Sequence, residues 1–144
     1  MPAKPLRLIP EVHRATHRIG IYLDSFGITQ GEGHILSYLA VSGDSTIAEL
    51  HRALAHRRST LTSILDRLAD RKFITRESDP KDRRSFIIRL SKKGRTVAAQ
   101  VHRELARIEE GVLKDITGHQ FQSAVKVLHA LEKTADQALG RKRQ

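Results

Sequence analysis

The sequence predicts a mainly α-helical fold that contains one small antiparallel β-hairpin. Apolar residues recur every three or four positions in six separate stretches, which is the spacing of one face of an amphipathic helix. Between residues 73 and 90 the spacing changes to an alternation that is typical of strands. The 144 residues are the length of one domain. We therefore expect a single unit over residues 1–144, in the order helix, helix, helix, helix, strand, strand, helix, helix.

The first two helices are predicted from apolar periodicity and from the signals at their ends. The first spans about residues 6–26 and ends at Gly27. Its apolar face carries Leu8, Val12, Ala15, Ile19 and Leu23. The second helix begins at Thr29, because Thr29 and Glu32 have the spacing of a capping box, in which each side chain bonds a free backbone N–H group of the first turn. Gly43 ends this helix.

Two shorter helices follow. Thr46 and Glu49 repeat the capping-box spacing, which predicts a short third helix. A polar break over residues 56–59 comes next. The fourth helix is predicted from about Ser59 to Lys72, and its inward face carries Leu61, Ile64, Leu65 and Leu68.

The hairpin is predicted from a change of pattern after the fourth helix. Residues 73–78 are expected to form one strand, and residues 85–90 a second strand. Aspartate and proline in the segment between them, residues 79–84, break regular structure and indicate a turn. The turn carries several basic side chains, so the hairpin has a basic tip.

Two long helices are predicted after Gly94. The second of them is introduced by Thr117 and Gln120, a third pair with capping-box spacing. Together with the first helix they carry more apolar surface than one small lobe can cover. We therefore expect a homodimer, with dimerisation helices at about residues 6–26 and 95–140.

The charge balance favours a polyanionic partner. The chain has 26 Lys and Arg against 16 Asp and Glu, a formal net charge of +10. It has no cysteine, which excludes disulfides, thiolate nucleophiles, cysteine-ligated zinc and thiol-based redox sensing. No apolar run has the length of a membrane span, and the N-terminus lacks the apolar core of a secretory signal. We therefore expect a cytoplasmic protein without membrane contact.

A short helix pair followed at once by a basic hairpin is the arrangement of a winged helix-turn-helix. A helix fits the major groove of B-form DNA, where polar side chains on its outer face reach base edges. The outer face of the fourth helix carries Ser59, Thr60, Thr62, Ser63 and Arg67. Arg57 and Arg58 lie near its N-terminus, where backbone donors also favour phosphate. In the hairpin, Arg83 and Arg84 are placed to enter the minor groove or bind phosphate, and Asp82 to hold an arginine in position.

At these residues the chain resembles the MarR family of transcription regulators. Residues 46–50 (Thr-Ile-Ala-Glu-Leu) are similar to the family's third helix, and residues 59–68 (Ser-Thr-Leu-Thr-Ser-Ile-Leu-Asp-Arg-Leu) to its recognition helix. The most specific stretch is residues 79–85 (Asp-Pro-Lys-Asp-Arg-Arg-Ser), followed by residues 88–94, which resemble its wing and exit. The resemblance extends over nearly the whole chain and places the DNA-binding lobe at about residues 29–94.

The resemblance implies a function and a role for each of these residues. It implies a homodimer that binds a pseudo-palindromic operator in double-stranded DNA near its own promoter. It also implies repression that a small, often phenolic or aromatic, ligand relieves. Ser59, Thr60, Thr62, Ser63 and Arg67 would contact the major groove or phosphate, Arg83 phosphate and Arg84 the minor groove, while Asp82 would orient the wing.

Other interpretations of the same residues stay open. His13 and His17 have the i, i+4 spacing of a metal-chelating pair, although a solvated or dimer-interface pair fits better because no further ligands accompany them. His34 and His102 are candidates for a ligand pocket. We expect no cofactor, no metal and no enzymatic activity, since nucleophile, phosphate-loop and metal-ligand motifs are absent from the sequence. The rival functions are a dimeric ligand-sensing or protein-interaction module with only non-specific nucleic-acid binding, and an RNA-binding protein.

Overall fold

The computed structural model describes residues 1–143 and contains, over that range, six helices and one three-stranded sheet. The predicted fold class is confirmed. In chain order the elements are α1 (Ile9–Asp24), α2 (Gln30–Ser42), β1 (Ser45–Thr46), α3 (Ile47–Leu54), α4 (Arg58–Asp70), β2 (Ile74–Asp79), β3 (Asp82–Leu90), α5 (Lys92–Asp115) and α6 (Gly118–Lys142).

The three predicted capping boxes are present. At Thr29, Thr46 and Thr117 the threonine side chain accepts the backbone N–H of the third helical residue, whose own side chain accepts the N–H of the threonine. These reciprocal bonds satisfy two donors that a helix start leaves free. They fix where α2, α3 and α6 begin. At the other end of α2, Gly43 has a φ of 75°, which favours glycine and ends the helix.

Some predicted boundaries were wrong by a few residues. α1 is shorter at both ends than residues 6–26. α4 begins at Arg58 and stops at Asp70, because Lys72 has a φ of 62° and cannot continue a right-handed helix. α5 begins at Lys92 rather than after Gly94, since the Ser91 hydroxyl accepts the Gly94 N–H at 2.9 Å and so caps its first turn.

The sheet has one strand more than the predicted hairpin. β2 and β3 pair antiparallel, with Ile74 opposite Leu90, and the strand order is β1-β3-β2. The two residues of β1 pair with Ile88 and Ile87 on the other edge of β3. The segment before α3 is therefore hydrogen-bonded to the wing.

The chain forms two compact units, Met1–Glu104 and a second that begins at Leu105. The buried core of the first unit is aliphatic apart from Phe73 and comes mainly from α2, α4 and the sheet, with contributions from α1, α3 and α5. Its largest fully buried side chains are Leu23, Ile35, Leu36, Leu50, Leu61, Leu65, Leu68 and Ile88. This core holds α4 in place by its inner face and leaves the outer face accessible.

The second unit consists of the C-terminal part of α5, from Leu105 onward, together with α6. No described residue of α6 is buried. Large apolar side chains along both helices remain exposed instead, among them Ile108, Val112, Leu113, Phe121, Val127, Leu128 and Leu139. A surface of this kind marks a binding site for another protein surface.

Candidate nucleic-acid interface

The turn between α3 and α4 is tight. Ala55 ends α3 in the left-handed region, with φ 52° and ψ 24°, and its N–H donates to the His51 carbonyl at 3.1 Å. Only His56 and the extended residue Arg57 separate it from the first residue of α4. Arg57 and Arg58 thus lie at the N-terminus of α4, as the sequence predicted. The positive end of the helix dipole adds to their charge there.

The outer face of α4 carries the predicted polar residues. Ser59, Thr60, Thr62, Ser63 and Arg67 are all exposed. The opposite face is buried: Leu61, Ile64, Leu65 and Leu68 keep at most 4% of their surface. The helix therefore presents a row of short hydroxyl side chains and one arginine, which allows close approach to a duplex.

Arg67 is tied to two neighbours. One of its terminal nitrogens (NH1) donates to the Ser63 hydroxyl at 3.1 Å, one turn earlier on the same helix. Its Nε lies 3.5 Å from Oε1 of Glu32, a residue of α2 whose side chain is only 3% exposed. The Arg67 side chain nevertheless keeps 48% of its surface exposed.

A groove of about 550 Å³ lies beside α4, lined among others by Gln30, His56, Ser59, Ser63 and Arg67. The Nε2 atom of His56 is buried and has no hydrogen-bond partner among the described residues. Seven of the nine residues that line this groove have polar side chains.

The wing turns at Pro80 and Lys81, between β2 and β3. Arg83 and Arg84 lie at the start of β3, after Asp82, and are exposed. Asp82 was predicted to hold an arginine, and it does so through the backbone: its Oδ1 accepts the N–H of Arg84 at 3.0 Å. The bond goes to the backbone of Arg84 and not to its guanidinium. The short Asp side chain shapes the turn by binding the backbone two residues on.

Ion pairs join the wing to the rest of the first unit. Arg76 in β2 reaches Asp66 in α4, with its NH2 2.6 Å from Oδ1. Arg89 in β3 lies 3.4 Å from both Asp44, before β1, and Glu77 in β2. An ion pair thus links α4 directly to the wing, and Arg89 of β3 is paired with β2 and with the residue that precedes β1.

The candidate pocket histidines have different surroundings. The Nδ1 of His102 lies 2.9 Å from the Ser37 hydroxyl, which joins α5 to α2. His34 is exposed on α2. Partial enclosure of its ring, and to a lesser degree the nearby His56, lowers the pKa of His34 below its usual 6.5. A ligand pocket at His34 and His102 stays a prediction.

The His13 and His17 rings stack on α1, with centroids 5.7 Å apart and planes 9° from parallel. Within residues 1–143, no group of three or more His, Asp or Glu side chains is arranged to hold a metal ion. Over the same range, no helix combines the length and the apolar character of a membrane span.

Two features of the site were not predicted from sequence. The spacing from Thr29 predicts only a capping role for Glu32, yet Glu32 also pairs with Arg67 and with Arg71. The contact between Asp66 and Arg76 joins α4 to β2, which lie next to each other only in the fold. No local spacing signals either contact, because the partners belong to different elements.

The tight turn between two helices, the exposed polar face of the second and the basic hairpin beside it define a winged helix-turn-helix protein. The MarR family model matches residues 26–85, the part of the chain that contains this site. Among characterised proteins, the multiple antibiotic resistance protein MarR of Salmonella typhimurium is 28% identical over 116 residues, which cover 79% of this chain and 81% of that protein.

Solved structures of MarR proteins have a similar fold. The crystal structure of wild-type MarR from Escherichia coli in its apo form is 25% identical, with a TM-score of 0.65 over 91% of this chain and 98% of that one. A cysteine-to-serine mutant of the same protein, complexed with operator DNA, gives a TM-score of 0.71 at 24% identity, over 87% of this chain and 91% of that one. The chain is therefore similar to the MarR family of transcription regulators, most directly over residues 26–85.

Proposed function

We propose that this protein is a homodimeric regulator that binds a specific site in double-stranded DNA. The observation that carries the proposal is the exposed face of α4, where four hydroxyl side chains and Arg67 stand beside the basic hairpin of the same compact unit. Hydroxyl and guanidinium groups on a helix suit base edges and phosphates in the major groove. The net charge of +10 attracts the duplex irrespective of its sequence.

The proposal gives each residue of the α4 face and of the wing tip a role in binding DNA. Ser59, Thr60, Thr62, Ser63 and Arg67 contact bases or phosphates in the major groove. Arg57 and Arg58, at the start of α4, bind phosphate together with the free backbone donors there. Arg84 enters the minor groove, Arg83 binds phosphate, and Asp82 keeps the wing turn in shape through its bond to the Arg84 N–H.

The homodimer is supported by apolar surface that the single chain leaves exposed. Ile108, Val112, Phe121 and Leu128 on α5 and α6 are each at least 36% exposed, as is Ile21 on α1. A second copy of the chain covers such surface on α1, α5 and α6. A two-fold dimer places its two α4 helices about 34 Å apart, one turn of DNA, and therefore reads a pseudo-palindromic operator.

The solved MarR complex with operator DNA supports this mode of binding for a fold of the same kind. By analogy we propose that the protein represses transcription in the cytoplasm, and that a small, often phenolic or aromatic, ligand relieves repression. Such a ligand acts only by binding one spacing of the two DNA-binding lobes better than the other. The proposal assigns no catalytic residue, cofactor or metal.

The test is fluorescence anisotropy with the DNA upstream of the protein's own gene and with a scrambled duplex, over a series of salt concentrations. We expect the upstream duplex to bind at least tens of times more tightly, with a steep salt dependence for both. Equal binding of both duplexes that vanishes near physiological salt would contradict the proposal and favour a sensing or interaction module instead.

The Arg84→Ala variant tests the wing in the same assay. Loss of a groove contact should weaken binding of the upstream duplex by about 1–3 kcal/mol. Arg103→Ala is the matched control, because Arg103 is an exposed arginine of α5 outside both α4 and the wing. It removes the same charge and should change affinity far less. Equal losses of affinity in the two variants would show that Arg84 contributes only its positive charge and makes no groove contact.

A further inference from the structure

Glu32 is the one charged residue among the buried side chains of residues 1–143, with 2% of its surface exposed. Burying a carboxylate is costly unless charges and hydrogen bonds compensate it. Gly31 lets α2 approach α4 so closely, because a Cβ at this position would lie 2.6 Å from Ile64 Cδ1. The close approach brings the Glu32 carboxylate within reach of Arg67 in α4 and of Arg71, the residue that directly follows α4.

The two carboxylate oxygens serve different partners. Oε2 accepts the Thr29 N–H at 3.0 Å and a bond from Arg71 NH1 at 3.1 Å. Arg71 also donates to the Gly27 carbonyl at 2.8 Å, so this half of the arrangement fastens the start of α2. The other oxygen, Oε1, faces the Nε of Arg67 at 3.5 Å. Arg71 and the capping bond already compensate the buried charge, so the contact to Arg67 is additional.

Arg67 is thereby held at two points. Glu32 lies at its Nε and the Ser63 hydroxyl at NH1, while the NH2 nitrogen takes part in neither contact. A guanidinium is planar, so two contacts fix the direction of the whole group. An arginine that is free in solution loses side-chain entropy when it binds, whereas a restrained one has lost part of it beforehand.

We propose that Glu32 is a positioning residue for DNA recognition: from inside the fold it holds Arg67 in the orientation in which its remaining N–H donors face the DNA. The inference rests on the proposed function, since it requires Arg67 to contact DNA. Glu32 itself does not touch the duplex. It sets how much of the ordering of Arg67 is completed before the DNA arrives.

The Glu32→Gln variant tests this role. Glutamine also serves at the third position of a capping box, so the start of α2 is kept while the charge that holds Arg67 is lost. Loss of a negative charge tightens binding to any duplex, so the informative quantity is the ratio of cognate to scrambled affinity. We expect this ratio to fall about 2-fold to 12-fold per subunit, or about 5-fold to 150-fold for a dimer with both subunits bound.

Arg71→Ala is the matched control. It breaks the other half of the same arrangement, together with the bond to Gly27 and the stacking of Arg71 on Phe73 at 4.7 Å. It should lower the midpoint of thermal unfolding and leave the affinity ratio as in the wild type. If Arg71→Ala lowers the ratio as much as Glu32→Gln does, Glu32 acts through general stability and the inference is overturned.

Arg67→Ala separates this inference from the proposed function. We expect it to lower the ratio, and we expect Glu32→Gln to lower it no further when combined with Arg67→Ala. An unchanged ratio in Arg67→Ala overturns the DNA role of Arg67, and the positioning role with it. A reduced ratio in Arg67→Ala beside a wild-type ratio in Glu32→Gln overturns the role of Glu32 alone.

A second measurement is made on the unaltered protein, and one variant serves only to assign a signal. In ¹⁵N spectra of the free protein, a held Arg67 should give an Nε–H signal that exchanges slowly with water, assigned by its loss in Arg67→Lys. Arg57, an exposed arginine for which the structure records no side-chain cap bond, provides the comparison. If the Arg67 signal exchanges as fast as that of Arg57, the side chain is not held and the inference fails even if no Glu32 variant folds.

Discussion

Gly94 is the position where one added methyl group should disturb the structure most. A Cβ built on Gly94 lies 1.8 Å from the carbonyl oxygen of Phe73 and 2.7 Å from its carbonyl carbon. Both neighbours are backbone atoms, so no side-chain rotation relieves the overlap. Ordinary contact begins at 3.4 Å, and α5 must therefore move about 1.6 Å away from the start of the wing in Gly94→Ala.

That movement has an estimable cost. Overpacking in a tight site destabilises by about 1–3 kcal/mol. The Phe73 carbonyl also accepts the Ser91 N–H at 2.9 Å, and loss of such a bond costs about 0.5–1.5 kcal/mol. Alanine regains about 1 kcal/mol over glycine through helix propensity. We expect the free energy of unfolding to fall by about 1–3 kcal/mol in Gly94→Ala.

Urea unfolding followed by circular dichroism measures this change, at equal protein concentration because a dimer's stability depends on it. Gly111→Ala is the control, since Gly111 lies in the same helix and has no atom within 4 Å of an added Cβ. It should stabilise by about 0.5–1 kcal/mol. If Gly94→Ala were as stable as Gly111→Ala, the close contact of α5 with Phe73 would be wrong.

Two further predictions concern charge. Asp66→Ala removes the 2.6 Å contact with Arg76, but the Asp66 side chain is 56% exposed. The free energy of unfolding in urea should therefore fall by about 1 kcal/mol or less. A fall of several kcal/mol would contradict this exposed position of the ion pair. The lowered pKa of His34 means that the unfolded chain takes up its proton more readily. The free energy of unfolding should therefore be highest above about pH 6.5 and decrease as the pH falls below it. His34→Gln should flatten this dependence in urea titrations across that range. Parallel profiles for the two proteins would show that His34 does not cause it.

Local features of the site could be predicted from sequence. The capping boxes at Thr29, Thr46 and Thr117 involve residues three positions apart, so their geometry is contained in the spacing. The exposed face of α4 follows from helical periodicity alone. The wing turn follows from residues that break regular structure, and Asp82 binds within that turn.

Features that depend on distant segments could not be predicted. β1 has two residues and exists because Ile87 and Ile88 offer the free edge of β3 more than 40 positions later. Glu32 carries the same capping signature whether or not arginines of α4 lie beside it. Its second role depends on the packing of α2 against α4 at Gly31 and Ile64, which no pattern within either helix encodes.

The exposed apolar residues of α5 and α6 make gene dosage matter for this regulator. The described part of α6 buries no side chain within its own chain. A newly made subunit therefore exposes an apolar surface until it binds a second subunit. The number of dimers rises with the square of subunit concentration while subunits are scarce. Halving expression then lowers operator occupancy up to fourfold, so the transcriptional response to copy number is steeper than linear. It also lengthens the time for which each unpaired subunit is exposed to proteases.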